Sequence, residues 1–136
     1  MLDHVSIGVG DFAASAAFYD AVLEPFGYRR MVEFGPAIGY GSKFPGFWIG
    51  DAGDQATASP GLHIALLAPD RAAVDAFHAA ALAHGGTDDG APGLRPQYHE
   101  HYYAAFVLDP AHMVRGLLDR GVPDLGHGEN FARPLA

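Results

Sequence analysis

At 136 residues, 49% of them hydrophobic and 18% charged, the chain has the size and balance of one folded domain that buries its own core. Eight Lys and Arg against 16 Asp and Glu give a formal net charge of -8, the opposite of a nucleic-acid footprint, and no apolar run approaches the roughly 20 residues of a membrane-spanning helix. The absence of cysteine excludes disulfides, thiolate nucleophiles and Cys-ligated zinc, and fits a cytoplasmic protein.

Met1-Leu2-Asp3-His4 carries an acid and no basic region, so no secretory signal is expected. Val5 to Val9 alternates apolar and small residues with period two, the pattern of a strand buried on one face. Asp11 stands where a helix N-cap belongs, and Phe12, Ala16, Tyr19, Val22 and Leu23 follow at helical spacing until Pro25 and Gly27. Three short strands are expected at residues 28–34, 37–41 and 46–49, punctuated by Gly35, Pro36, Gly41 and Pro45. Residues 51–60 are small and polar and read as a linker.

The pattern then begins again. Residues 62–67 read as a strand, Asp70 as a second N-cap, and Ala73, Phe77, Ala80 and Ala81 as the inner face of a helix that Gly85-Gly86 ends. Residues 87–100 read as a long Gly/Pro-rich loop with a short strand inside it. A strong strand at 102–108, a turn at Asp109-Pro110 and a last strand at 113–118 complete the unit, and 122–136 reads as an irregular tail.

The two halves align without a gap at an offset of 59: His4 falls on His63, Asp11 on Asp70, Phe18 on Phe77, Leu23 on Leu82 and Gly27 on Gly86, besides several alanines. Each matched residue holds the same place in its predicted element, which composition alone does not produce. One strand-helix-three-strand unit leaves a sheet face uncovered, so two copies are expected to share a core and place equivalent first-strand residues near each other.

Leu2-Asp3-His4-Val5-Ser6-Ile7-Gly8-Val9 with Asp11 and Ala17-Phe18-Tyr19, Gly61-Leu62-His63-Ile64-Ala65 with Asp70 and Ala76-Phe77, and the closing stretch from Tyr102 to Pro110 resemble the vicinal-oxygen-chelate superfamily of glyoxalase I, bleomycin-resistance proteins and extradiol dioxygenases, over residues 1–119. The resemblance implies an α+β fold of two tandem βαβββ modules forming a half-barrel cup, one domain over 1–121 with module one at 1–50, the linker at 51–60 and module two at 61–121. It also implies a divalent metal (Zn, Ni, Fe or Mn) at the base of the cup, ligated from the first strand of each module, positions that His4 and His63 match. The family's last-strand glutamate has no counterpart, because its place holds Arg115 or Gly116, and the first module offers only Phe47-Trp48-Ile49 there. The metal site is incomplete by that pattern, since two imidazoles fall short of the three protein ligands an open site uses.

Other residues compete for roles. In His99-Glu100-His101, period two puts the histidines on one face and Glu100 on the other, and Glu100 is the candidate proton shuttle. Trp48, Tyr103 and His101 are the candidate ligand-binding residues, drawn from an aromatic set that also includes Tyr40, Phe47 and Phe106, and Arg95 is a candidate partner for a carboxylate or phosphate. His112 and Glu129 are weaker candidates. For each the plain alternative is core packing, or a solvated surface in the cases of Arg95 and the 99–101 cluster.

The leading expectation is a glyoxalase- or dioxygenase-like enzyme, a metal-dependent lyase or dioxygenase acting on a small oxygen-rich substrate, with a metal on His4 and His63 as Lewis acid. The alternative is a metal-free, antibiotic-like binder of the same superfamily, for which the acidic charge suits a cationic ligand. A degenerate member with its cup filled by side chains is the third. A homodimer is expected from the resemblance.

Overall fold

Asp11 and Asp70, the two residues matched by the repeat, start the two helices in the same way. In the computed structural model, which describes residues 2–57, 61–110 and the backbone of Arg115–Asp119, the Asp11 carboxylate accepts the Ala14 N–H at 3.0 Å and the Asp70 carboxylate the Ala73 N–H at 2.8 Å. Each satisfies an amide that the first helical turn leaves unpaired. The helices run Phe12–Leu23 (α1) and Arg71–Ala83 (α2). A short turn of tighter helix at Glu24–Phe26 ends α1, with Gly27 at φ 73° supplying the left-handed residue that stops it.

The first module builds four strands, β1 (Val5–Val9), β2 (Arg29–Glu33), β3 (Ala37–Gly41) and β4 (Pro45–Asp51), ordered β1-β4-β3-β2. β1 lies parallel to β4, with Val5 opposite Phe47 and Val9 opposite Asp51, while the other pairs are antiparallel. The second module contributes β5 (Thr87–Leu94), β6 (Tyr103–Leu108) and β7 (Arg115–Asp119), antiparallel in the order β5-β6-β7. The architecture is α+β, with curved sheets that stay open and helices packed on one side.

Two stretches differ from expectation. Residues 87–94, expected as part of a loop holding only a short strand, form the eight-residue β5. Irregularities between Asp88 and Gly90 and between Gly90 and Gly93 take up the residues that read as breakers, and Pro92 is tolerated on an edge strand because little pairing is lost. Residues 62–67, expected as a full strand, make only isolated bridges at His63 and Leu67. The expected tail 122–136, with Glu129, and His112 lie outside the described residues.

One core runs through both modules. Val9, Ile49, Tyr40 and Phe47 from the first sheet meet Phe18, Val22 and Leu23 of α1, Val74, Phe77 and Ala81 of α2, and Ala105 and Val107 of β6. Each large side chain taken out of water contributes ~1.5–3 kcal/mol before entropy is counted, so the shared cluster holds the halves as one unit. Phe26 and Phe77, one from each module, stack with centroids 5.6 Å apart. Among the described residues, no helix is long and apolar enough to cross a membrane.

Candidate functional site

Each sheet has a side away from the helices, and period-two alternation decides which residues lie on it. On β1, Ile7 and Val9 are buried in the core and Val5 packs against it, which turns Ser6 and Gly8 to the open face. On β4, Phe47 and Ile49 face the core, so Trp48 faces the opening. Register then sets Ser6, Trp48 and Gly39 side by side across three strands. Gly39 is needed there, because a Cβ would come within 2.7 Å of the Trp48 ring. The Trp48 indole N–H donates to the Pro45 carbonyl at 3.0 Å, which fixes the ring over the sheet.

His4 precedes this row. Its side chain is 54% exposed, and its Nδ1 lies 2.7 Å from the Asp3 carboxylate.

On the second sheet, Ala105 and Val107 face the core and Phe106 the open side. His63 packs against the Phe106 ring with centroids 6.0 Å apart, and the Arg95 guanidinium lies 5.6 Å from the same ring centre. Gly90 makes room for this arrangement, since a Cβ would fall 2.9 Å from the Phe106 ring and 3.3 Å from Arg95 Nη2. Arg95 Nη2 donates to the Ala91 carbonyl at 2.7 Å and Nη1 to the Leu94 carbonyl at 3.3 Å. A guanidinium has five N–H groups, so donors remain for a ligand.

Sequence candidates therefore separate into distinct places. His63 and Arg95, 32 positions apart, meet on one aromatic ring. Glu100 and His101 sit on the turn between β5 and β6, 3.5 Å from each other and exposed, with the His101 N–H bonded to His99 Nδ1 at 3.1 Å. The backbone of Arg95 anchors that turn, donating to the Tyr102 carbonyl at 2.7 Å. Tyr103 lies on the other face of β6: its hydroxyl donates to Asp75 of α2 at 2.7 Å, and the Arg71 guanidinium lies over its ring. That bond, with a smaller effect of burial, raises the Tyr103 pKa. Tyr40 and Phe47, read from sequence as pocket candidates, pack around Tyr19 on the helix side of the sheet, away from Trp48.

A divalent metal does not fit the described residues. No group of three or more His, Asp or Glu side chains among them is arranged to hold one. The Arg115 side chain lies outside the described residues, and Gly116 of β7 has no donor side chain.

Phe106 was the least visible member of the site in the sequence, one aromatic among several on strands. Gly90, in the Gly/Pro-rich stretch, and Gly39, inside an expected strand, are both cut-outs for the rings beside them.

The model of the glyoxalase/bleomycin resistance protein/dioxygenase superfamily matches residues 1–114. The chain belongs to that superfamily. Among solved structures, a glyoxalase/bleomycin resistance protein from Albidiferax ferrireducens T118 is 33% identical with a TM-score of 0.78, over 86% of this chain and 97% of that one. A fosfomycin resistance protein from Mesorhizobium loti shares 20% identity and a TM-score of 0.61, over 88% and 91% of the two chains. Glyoxalase I from Zea mays shares 22% identity and a TM-score of 0.66, over 88% of this chain and 46% of that one. These last two likenesses show the shared superfamily fold. No curated protein matches the sequence.

Proposed function

We propose that this superfamily member binds a small flat anion, a carboxylate or phosphonate on an aromatic body, at the open face of its second sheet without help from a metal. The observation that supports it is the Arg95 guanidinium held over Phe106 with His63 against the same ring. The free N–H groups of Arg95 pair with a ligand's anionic end, and the Phe106 and His63 rings beside it give the flat body apolar edges to lie against. Trp48 offers a second aromatic surface on the first sheet, and Glu100 and His101 form a polar rim at the turn that Arg95 anchors. The chain is acidic overall, but Arg95 sets a cation directly against the Phe106 ring.

The test is calorimetric titration with phenylphosphonate in the presence of a chelator. Saturable binding is expected, weakening as salt rises and falling about tenfold or more in Arg95→Leu and in Phe106→Ala. Binding that appears only after Zn, Ni, Fe or Mn is added, and is lost in His4→Ala, would instead return the chain to the metal-dependent reading. Unchanged affinity in Arg95→Leu would remove the site from the second sheet.

A further inference from the structure

A cavity lies away from the open face. A cleft of about 380 Å³ opens between the start of β1, the β3–β4 connection and residues 64–66. Its walls are apolar, among them Val5, Tyr28, Phe47, Ile64 and Leu66. Phe47 faces the helix side of the sheet, so this cleft lies behind the surface that carries Trp48. The second module's first segment forms one wall, and because that segment bridges only at His63 and Leu67, the seam is not closed by a continuous strand.

The mouth carries Ser42 and Lys43 in the three-residue connection between β3 and β4. That connection is tight, since a Cβ on Gly41 would collide with the Phe44 carbonyl. Lys43 is the one lysine in the sequence, and among the described residues it forms no ion pair. In a chain of net charge -8, a cation with no carboxylate partner among the described residues stands at the edge of an apolar cavity. Apolar walls give water few partners, so the cavity favours a hydrocarbon body over ordered solvent. At about 30 Å³ for each water-sized group, it holds roughly a dozen heavy atoms.

We infer that this cleft is a second binding site, one that takes a small monocarboxylate with an aliphatic body, its tail against Val5, Phe47, Ile64 and Leu66 and its carboxylate at Lys43 and Ser42. The lysine acts as a point charge and the serine hydroxyl as a second donor. This site stands apart from Arg95 and Phe106, and either can fail without the other.

Octanoate is the probe, with octanol as its uncharged match, in calorimetric titrations of the full chain. Lys43→Met is expected to weaken octanoate about tenfold and leave octanol unchanged, as loss of one charge-assisted contact does. Ala65→Trp, at an exposed position lining the cleft, is expected to block both, and Arg95→Leu to change neither. In the unmutated protein, octanoate is expected to slow acylation of Lys43 by an amine reagent, followed by peptide mass mapping. Equal octanoate affinity in Lys43→Met, no saturable binding, unprotected Lys43, or loss of binding in Arg95→Leu would each overturn the assignment. So would a sedimenting dimer in which Lys43 resists acylation without octanoate, because a second copy would then cover the mouth.

Discussion

Tyr19 on α1 donates its hydroxyl to the buried carboxylate of Asp109, 90 residues later, at 2.9 Å. The bond joins the helix of the first module to the turn that follows β6 in the second, and Asp109 is only 2% exposed. A buried carboxylate that loses a donor keeps its desolvation cost, so Tyr19→Phe is expected to destabilise the fold by about 1–3 kcal/mol. Urea denaturation followed by far-ultraviolet circular dichroism measures this, and a loss below about 0.5 kcal/mol would show that the bond does not tie the modules.

The same pair makes stability depend on alkaline pH. Burial first, and the Asp109 carboxylate second, hold the Tyr19 phenol well above its ordinary value of 10.0. In the unfolded chain the phenol ionises near pH ~10, while the folded chain keeps its proton. The raised folded pKa therefore contributes stability that is fully present below about pH 10 and is lost as pH rises beyond it. Tyr40 is shifted the same way, chiefly by burial. Melting temperatures are expected to fall above about pH 10, less steeply in Tyr19→Phe than in the unmutated chain. Equal slopes in the two proteins would remove Tyr19 as a cause.

Gly39 and Trp48 provide a spectroscopic test of the open face. A methyl group at residue 39 would fall 2.7 Å from Trp48 and 2.8 Å from the Pro45 side chain, so the indole must move. Gly39→Ala is expected to cost about 1–3 kcal/mol and to shift the emission of Trp48, the sole tryptophan. An unaltered spectrum would mean that the indole does not lie over residue 39.

Each N-cap is open to direct test. Asp11→Ala and Asp70→Ala each remove a carboxylate that accepts a first-turn amide. Each is expected to lower stability by about 0.5–2 kcal/mol, with Asn at the same position retaining most of it. Thermal denaturation of the four variants measures this, and an Asn variant as weak as its Ala counterpart would point to the charge rather than the cap.

Much of this architecture was legible because it depends on local chemistry repeated at a fixed spacing. Asp11 and Asp70 cap through amides that are themselves matched by the repeat, Ala14 and Ala73, so the sequence offset corresponds to equivalent bonds. The full length of β5 was hidden because Gly90, Pro92 and Gly93 break a pattern locally, whereas the antiparallel partner β6 holds them in an irregular register. His4 and His63 show the limit of repeat reasoning. They match in sequence, yet one stands half in solvent beside Asp3 and the other against Phe106. Their surroundings depend on residues the repeat does not duplicate. The meeting of Arg95 with Phe106 is a tertiary event with no periodic signature, as is the placing of Lys43 at a cavity mouth.

The parallel pairing of β1 with β4 has a consequence for synthesis. Val5 finds its partner only when Phe47, roughly forty residues later, has left the ribosome, a wait of a few seconds at about 5–20 residues per second. Until then the apolar side chains of Ile7 and Val9 have no sheet to join, while β2, β3 and β4 can pair as successive hairpins. The first strand of this module to be made is thus the last to be placed in it, and its apolar side chains wait unpaired longer than those of β2 and β3.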